Sequence, residues 1–430
     1  MEKLSAQSLI DFLYESPTTF HHVEKIRCTL RENGYLELEE YDKWSLKPNG
    51  KYYIRKNDSA IIAFEIGTDD IVESGIRLIG AHTDSPTFKV KSNPEMVAEG
   101  TYLKLNTEMY GGAIAYTWFD RPLSIAGKVI LKGSNPFSNF TRLVNFNKPL
   151  LTIPSVAIHL KRNVNEKFGV NLQKDSLPLV GLVNEQLEKE GYLLKLIASE
   201  LGVDAEDILG FDLNLYEYDK GTLVGANEEF ISCGDLDDKW MTYAGLVALV
   251  ESAPIKQTKM LVCVDSEEIG SLTAQGARSN FILNTIERML LGLGKDREAL
   301  YQALASSVMI SADLAHAVHP NSSELHDPTN RPVLGKGPVL KVAASGSYSS
   351  DSYGMAVFKG LCDTANIPYQ TLYNRSDVRG GSTIGPMTSS LLTIPVIDMG
   401  APLLGMHSIR ELASVEDHHS TVKLFKTFWI

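Results

Sequence analysis

The chain has 430 residues, of which 43% are hydrophobic and 22% are charged, which suits two or three domains or one large α/β enzyme with an insertion. Its 41 basic and 53 acidic residues give a net charge of −12, which argues against nucleic acids and anionic membranes as partners. The four scattered cysteines, Cys28, Cys233, Cys263 and Cys362, form no C-x-x-C pair and favour a reducing, cytoplasmic location.

The first 35 residues predict two helices, separated by a break at Pro17. The N-terminal stretch has no cationic segment followed by an apolar one, and no apolar run approaches the roughly 18 residues of a membrane span. We therefore expect neither a standard secretion signal nor a membrane-spanning segment. Residues 52–66 then predict a β-hairpin whose turn is Lys56–Ser59.

Five stretches place metal-binding residue types next to apolar runs that read as strands or as a helix. In an open α/β sheet, ligands bind in the crevice beyond the carboxyl ends of the strands, so these stretches predict one shared metal crevice. The best ligand candidates are His82, Asp237, Glu268, Asp313 and His407.

The charges of these five candidates suit two metal ions. Two neutral imidazoles and three carboxylates carry −3, and two divalent cations with a bridging hydroxide bring the sum to zero. Nitrogen and oxygen ligands without thiolate favour Zn²⁺, with Co²⁺ or Mn²⁺ as alternatives. Asp84 is placed to hydrogen-bond the far nitrogen of His82. Glu267, beside a ligand, is placed to act as the general base on water during hydrolysis of a carbonyl compound.

Residues 91–227 differ from the rest in their β-rich patches and in a Gly/Asn/Pro-rich stretch. We interpret them as an inserted domain. Residues 1–90 and 228–430 would then form the domain that receives it, an α/β fold with a central mixed sheet flanked by helices. The histidine pairs 21–22 and 418–419 lack the context of a strand end and are predicted to lie on the surface. Residues 345–350 are predicted to form a flexible loop.

These residues lie in motifs that clearly resemble those of the aspartyl aminopeptidase (M18) family of metalloaminopeptidases. The resemblance covers essentially the whole chain. It rests on the motifs Ala81–Pro86, Asp265–Ser271, Ser311–Asn321, Arg331–Lys341, Gly381–Pro386 and Met406–Glu411, and on Ile153–Leu160 inside the insertion.

The resemblance implies a zinc-exopeptidase-like catalytic domain that acts on peptides with a free N-terminus. One metal would be held by His82 and Asp313 and the other by Glu268 and His407, with Asp237 as the bridge and Glu267 as the base. The family pattern places an aromatic residue six positions after the bridging Asp, and Tyr243 selects Asp237 over Asp235 and Asp238.

The resemblance also implies that the inserted domain acts in dimerisation and as a lid, and that dimers assemble into dodecamers. His159 resembles the histidine that reaches a neighbouring subunit's active site. His326 and Lys336 resemble residues that line the substrate pocket.

The chain departs from the family pattern near the substrate. Asn330 stands where a histidine is usual, and Arg379–Gly381 replaces Pro-Cys-Gly. Two specificities stay open: an acidic residue at P1 paired with Lys336, slightly favoured, and a neutral or broad preference. The other open alternatives are a dinuclear deacylase or carboxypeptidase-like amidohydrolase, and an assembly protein whose metals are structural.

Overall fold

A computed structural model describes residues 2–166, 169–183 and 191–430 of the chain. These residues divide into two compact units. The first unit contains Met1–Ser85, Gly221–Met406 and Glu411–Ile430, and the second contains Pro86–Lys220 and His407–Arg410. The second unit thus includes a short segment that is remote in the chain, which the sequence boundaries 91–227 did not include.

The α-helices are distributed along the described chain, and nearly all of them belong to the first unit. None of them, within the described residues, is long and apolar enough to cross a membrane. They are α1 (Glu2–Tyr14), α2 (Thr19–Glu32), α3 (Ile71–Ser74), α4 (Tyr192–Leu201), α5 (Leu236–Glu251), α6 (Phe281–Gly292), α7 (Arg297–Ala305), α8 (Ser352–Ala365), α9 (Ile384–Leu392) and α10 (Val415–Phe428).

The β-strands form sheets within each unit. They are β1 (Leu36–Glu37), β2 (Lys51–Lys56), β3 (Ala60–Glu65), β4 (Ile76–His82), β5 (Thr87–Ala98), β6 (Tyr102–Tyr110), β7 (Leu123–Leu131), β8 (Phe140–Asn145), β9 (Leu179–Leu182), β10 (Ile208–Glu217), β11 (Thr222–Val224), β12 (Phe230–Cys233), β13 (Thr258–Val264), β14 (Val308–Ala312), β15 (Ala315–His316), β16 (Val339–Lys341), β17 (Gln370–Leu372), β18 (Val396–Gly400), β19 (Pro402–Leu403) and β20 (Glu411–Ser414).

The first unit is built on a nine-stranded mixed sheet with the order β1-β2-β3-β13-β4-β14-β18-β16-β17. Its centre is parallel, because β13 pairs with β4, β4 with β14, and β14 with β18 in the same direction. The β2–β3 hairpin is antiparallel, as the sequence predicted. The carboxyl ends of β4, β13, β14 and β18 therefore meet at one edge of the sheet.

Helices cover both faces of this sheet. Every residue of β13 is buried, which is typical of a central parallel strand with both faces covered. Leu261 and Cys263 pack into a core formed with α1, α2, α5, α8 and α10, whereas Met260 and Val262 pack on the opposite face with α6, α7 and α9. The structure thus confirms the α/β fold with a central mixed sheet, and the two N-terminal helices are also as predicted.

The surface prediction was wrong for one histidine of each pair. His22 and His418 are both fully buried in the first unit. The His22 Nε2 atom lies 2.5 Å from the Thr242 hydroxyl, and the Trp240 indole donates to His418 Nδ1 at 2.7 Å. Helices α2 and α10 turn these rings toward α5, and this orientation is set by helix phase, which adjacent histidines in a sequence do not reveal.

The second unit is a six-stranded antiparallel sheet with the order β8-β7-β10-β5-β6-β9. Helix α4 packs with it around an apolar core that also takes in Ile409. Arg410 binds Glu217 at 2.9 Å, which ties the returning segment to β10. This unit also has a row of exposed apolar side chains at Val156, Ile158 and Leu160.

Candidate metal centre

Three neighbouring parallel strands deliver the candidate ligands to the same edge of the nine-stranded sheet. His82 is the last residue of β4, Glu267 begins a 3-10 turn just after β13, and Asp313 directly follows β14. One ligand atom from each of these three side chains lies within 4.8 Å of the other two. His82 thus forms one potential cation site with two residues that follow it by more than 180 positions in the chain.

His82 is oriented for coordination by its Nδ1 atom, which lies 3.0 Å from the main-chain oxygen of Asp84. A carbonyl oxygen can only accept, so Nδ1 carries a proton, and in the neutral ring Nε2 has the lone pair that a cation would use. Nε2 faces two carboxylates, 3.7 Å from Asp237 Oδ1 and 4.0 Å from Asp313 Oδ2. The imidazole is 1% exposed, so a cation bound there would be shielded from solvent.

Asp84 was predicted to hydrogen-bond the imidazole of His82, but its carboxylate has further contacts. Its Oδ1 atom lies 3.4 Å from His82 Nδ1, farther than its own main-chain oxygen. Its two carboxylate oxygens accept the main-chain N–H groups of Glu267 and Glu268, each at 3.1 Å. Asp84 therefore fixes the turn that carries both glutamates relative to His82.

Asp237 and Glu268 form the beginning of a second donor group, since each offers a carboxylate oxygen within 4.8 Å of the other. Asp237 is buried, and its main-chain N–H donates to Glu411 Oε2 at 3.0 Å. The next residue, Asp238, is fully buried and accepts the main-chain N–H of His82 at 3.1 Å. No role was predicted for Asp238 or Glu411, yet Asp238 holds the backbone of His82 and Glu411 holds the backbone of Asp237.

The cluster holds more buried negative charge than its own side chains neutralise. Burial, together with the charges of Asp313, Glu268 and Asp84, raises the pKa of Glu267 to about 8 against the opposing effect of His82. Burial also raises the pKa of Asp238 well above its usual range. Burial by itself lowers the pKa of His82, but Asp84 and Asp238 hold it well above its usual value. A bound divalent cation would compensate this charge.

Lys341 is a residue of this site that the sequence analysis missed. Its ammonium group is buried and donates to Asp313 Oδ1 at 2.7 Å, and it lies 5.5 Å from the centre of the Tyr348 ring. Burial alone lowers the pKa of Lys341, but Asp313 and Tyr348 raise it above its usual value. The signal was available in the sequence, because a lysine that closes the apolar run Val339–Leu340 needs a buried partner.

The donor set fits zinc. It consists of imidazole and carboxylate groups without thiolate, which are ligand types that zinc accepts. The Nδ1–H donation of His82 to a carbonyl is the usual means of fixing a zinc-binding tautomer.

The remaining predicted site residues lie elsewhere. His407 belongs to the second unit, where its Nδ1 atom lies 3.2 Å from the Gly112 carbonyl oxygen, so its Nε2 also keeps a lone pair. His159 is exposed in the second unit. Lys336 is exposed in a turn of the first unit, and His326 is half-buried in the wall of a cavity of that unit.

The turn that carries Lys336 is held by helix α10. The Asp417 carboxylate accepts the main-chain N–H groups of Gly335 at 2.6 Å and Gly337 at 2.7 Å. Residues 345–350, predicted to be a flexible loop, are partly tied down, because Ser349 donates its N–H to the buried Asp398 and Ser350 shares two hydrogen bonds with the Asp398 main chain.

Comparisons with known proteins place these features in context. Residues 12–429 match the model of a family described as aminopeptidase I zinc metalloprotease (M18). A protein of Clostridium novyi (strain NT), named probable M18 family aminopeptidase 2, is 54% identical over 424 residues, covering 99% of this chain and 98% of that protein. A protein of Ectopseudomonas mendocina (strain ymp) with the same name is 38% identical, covering 98% and 97%.

Solved structures agree over the same length. The chain resembles one in the cryo-EM structure of the Ape4 and Nbr1 complex with a TM-score of 0.96 at 35% identity, covering 100% of this chain and 86% of that one. It also resembles the structure of the S. cerevesiae mApe1 dodecamer with a TM-score of 0.86 at 28% identity, covering 99% and 96%.

Proposed function

The chain belongs to the M18 family of zinc metalloproteases, and from this premise we propose that it removes N-terminal residues from peptides with the help of two divalent metal ions. The observation that carries the proposal is the grouping of His82, Glu267 and Asp313 at the carboxyl ends of adjacent parallel strands. A buried imidazole and two carboxylates, one with a raised pKa, supply both a cation site and a proton acceptor.

The proposed ligand arrangement has two halves. His82 and Asp313 would hold one cation, Glu268 and His407 would hold the other, and Asp237 would lie between the two. The Nδ1–H bonds of His82 and His407 to carbonyl oxygens support this arrangement, because both imidazoles then offer Nε2. Bound zinc would supply a Lewis acid for the scissile carbonyl and would lower the pKa of water towards about 7.

Glu267 is the proposed general base. It is half-buried beside His82 and Asp313, and its backbone is fixed by Asp84, so its carboxylate is held in place. A cation next to it would lower its pKa from about 8 towards the range where a base works best near neutral pH. It would take a proton from the attacking water and return it to the leaving amine.

The substrate would be a peptide whose α-amine is free. We propose a modest preference for an acidic P1 residue, with Lys336 as its cationic partner. Lys336 is exposed, so its side chain is accessible to a substrate. Asp417 fixes the turn that contains Lys336. If Lys336 does not contact the substrate, the preference would be neutral or broad.

We further propose that the protein is a cytoplasmic homo-oligomer built from dimers, assembled into dodecamers. The exposed side chains of Val156, Ile158 and Leu160 favour burial against another copy of the chain. The named dodecamer of the S. cerevesiae relative agrees with this. All four cysteines are free, which suits a reducing compartment.

The test is a panel of aminoacyl substrates with Asp, Glu, Leu, Lys or Ala at P1, each with a free and an acetylated amine. We expect turnover of the free-amine set, somewhat faster for Asp and Glu. The variant Glu267→Gln should bind zinc as the wild type does and lose turnover by a factor of about 10² to 10⁴. Turnover of the acetylated set alone would replace the proposal with a deacylase, and an active Glu267→Gln variant would reject Glu267 as the base.

A further inference from the structure

A cavity of about 280 Å³ in the first unit lies outside the cluster of candidate metal ligands. Three imidazoles and two guanidinium groups line its wall together with main-chain segments, and the lining contains no carboxylate among the described residues. The five basic side chains are His316, His319, His326, Arg375 and Arg379. In a chain with a net charge of −12, such a local excess of donors is unusual.

The cavity is built from continuations of the strands that form the metal site. Strand β15, which contains His316, pairs in parallel with β19, and Ala317 donates its N–H to the Leu403 carbonyl. His316 lies three residues after Asp313, so the two are separated by at most about 10 Å at a strand rise of about 3.3 Å per residue. An extended peptide covers this distance with about three residues.

Arg379 is the cation of this cavity that is available to a ligand. Arg375 is already committed, because its guanidinium binds Asp377 at 2.7 Å and 2.8 Å and the Glu324 carbonyl at 2.6 Å. Arg379 is exposed and forms no ion pair or hydrogen bond within the described part of the chain. A guanidinium with an open face binds a carboxylate through two parallel hydrogen bonds.

The imidazoles add donors to this cation. His319 Nδ1 accepts the N–H of Asn321 at 3.2 Å, so a neutral His319 carries its proton on Nε2. Burial lowers the pKa of His326, and Arg331 and His319 lower it further, so this ring is neutral near pH 7 and donates from one nitrogen. The residues that line the cavity thus include imidazole N–H donors as well as the Arg379 guanidinium, and a carboxylate can accept from both.

We infer that this cavity binds a substrate carboxylate two or three residues beyond the scissile bond. The inference rests on the proposed function and adds the class of peptide that the site prefers: short peptides whose C-terminal carboxylate reaches the cavity, or longer ones with an acidic side chain there. Arg379 would be the determining residue for this preference, and the contact would lower KM more than it raises kcat, because it is remote from the reacting atoms.

The experiment compares Leu-Ala-Ala-Ala as the free acid and as the C-terminal amide, and adds amidated peptides with Asp or Asn at the fourth position. We expect kcat/KM to be about tenfold higher for the acid than for the amide, mainly through KM. The Asp and Asn peptides distinguish a side-chain carboxylate from a C-terminal one. In Arg379→Gln the acid-to-amide ratio should fall towards one, and Arg379→Lys should retain part of it.

Arg297→Gln is the matched control, because Arg297 is an exposed arginine on α7 outside the cavity and its loss changes the net charge equally. It should keep the wild-type acid-to-amide ratio. Equal cleavage of acid and amide by the wild type, or an equal loss on both in Arg379→Gln, would overturn the inference while leaving the aminopeptidase proposal in place. Failure to cleave any free-amine peptide would instead overturn the proposed function and the inference with it.

Discussion

Lys341 carries a buried positive charge one hydrogen bond away from a candidate metal ligand. Because its ammonium group lies 2.7 Å from Asp313 Oδ1, the variant Lys341→Met would leave a buried carboxylate without its cation. Breaking such a pair typically costs about 3 to 5 kcal/mol. We expect that loss in the free energy of unfolding without metal, and a smaller loss with zinc, because a bound cation would compensate Asp313 in place of Lys341. Denaturant unfolding with EDTA and with zinc measures the difference.

The control for this variant is Lys259→Met. Lys259 and Glu65 form another buried pair, 3.1 Å apart and no more than 2% exposed, in the strands that precede the site. Their separation from the ligand cluster in the sheet predicts the same loss of stability with and without zinc. If zinc changes the loss equally in both variants, Lys341 has no special relation to the metal site.

Helix α10 places a neutral imidazole in the core, and this gives the fold a pH dependence. Burial and, to a smaller extent, the charge of His419 lower the pKa of His418 to about 4 from its ordinary 6.5. Below pH 6.5 the unfolded chain takes up a proton that the folded chain does not, so the free energy of unfolding falls as the pH falls. At 1.36 kcal/mol per pH unit, the drop from pH 6.5 to pH 5 is about 2 kcal/mol for this residue.

The variant His418→Phe tests this prediction. It should be less stable than the wild type at pH 7.5, because the Trp240 indole loses its acceptor, but its stability should fall less between pH 7.5 and pH 5. Denaturant unfolding of the metal-free protein at both pH values measures the two slopes. His159→Gln is the control, since it removes an exposed histidine of the second unit. A His418→Phe variant with the wild-type slope would contradict the assignment.

The elements of the central sheet were predictable because their residues carry a local signal. The alternating and continuous apolar runs of β2, β3, β4 and β13 identify strands, and their polar ends identify the edge at which ligands collect. The order β13-β4-β14 is not a local property, yet it decides that Glu267, His82 and Asp313 are neighbours. The ends of the strands could be predicted from the sequence, but which of these ends lie next to each other depends on the strand order in the sheet.

Contacts made by single side chains were less predictable than the strands. Asp84 was expected to orient His82, but its carboxylate also fixes the backbone of Glu267 and Glu268 across more than 180 residues of chain. The burial of His418 depends on which face α10 turns to α5. Such contacts follow from packing between elements, and residue types and spacing alone do not specify them.

At the scale of the whole molecule, the exposed segment around His159 indicates a partner. Val156, Ile158 and Leu160 are 56%, 50% and 83% exposed, which is costly for a run of apolar side chains unless another chain covers them. His159 lies between two of them and is itself exposed. Burial of the three side chains against a second copy would bring His159 into contact with that copy. This is how His159 could reach a neighbouring subunit's active site, as the family resemblance implies.

This contact predicts complementation between two inactive variants. Glu267→Gln lacks the proposed base, and His159→Asn lacks the group offered to the neighbour, so each should be inactive alone. If His159 acts on the partner subunit, co-expression should restore activity, since a mixed dimer then has one intact site. Random pairing makes half of the dimers mixed, so about a quarter of the wild-type activity is expected.

The control pairs Glu267→Gln with His82→Ala, two defects in the same unit of the chain. Every active site of that mixture carries one of the two defects, so it should stay inactive in any assembly. An active His159→Asn protein would show that His159 has no catalytic part. An inactive His159→Asn protein that Glu267→Gln subunits fail to rescue would place its action within its own subunit, and the exposed row beside it would then serve assembly alone.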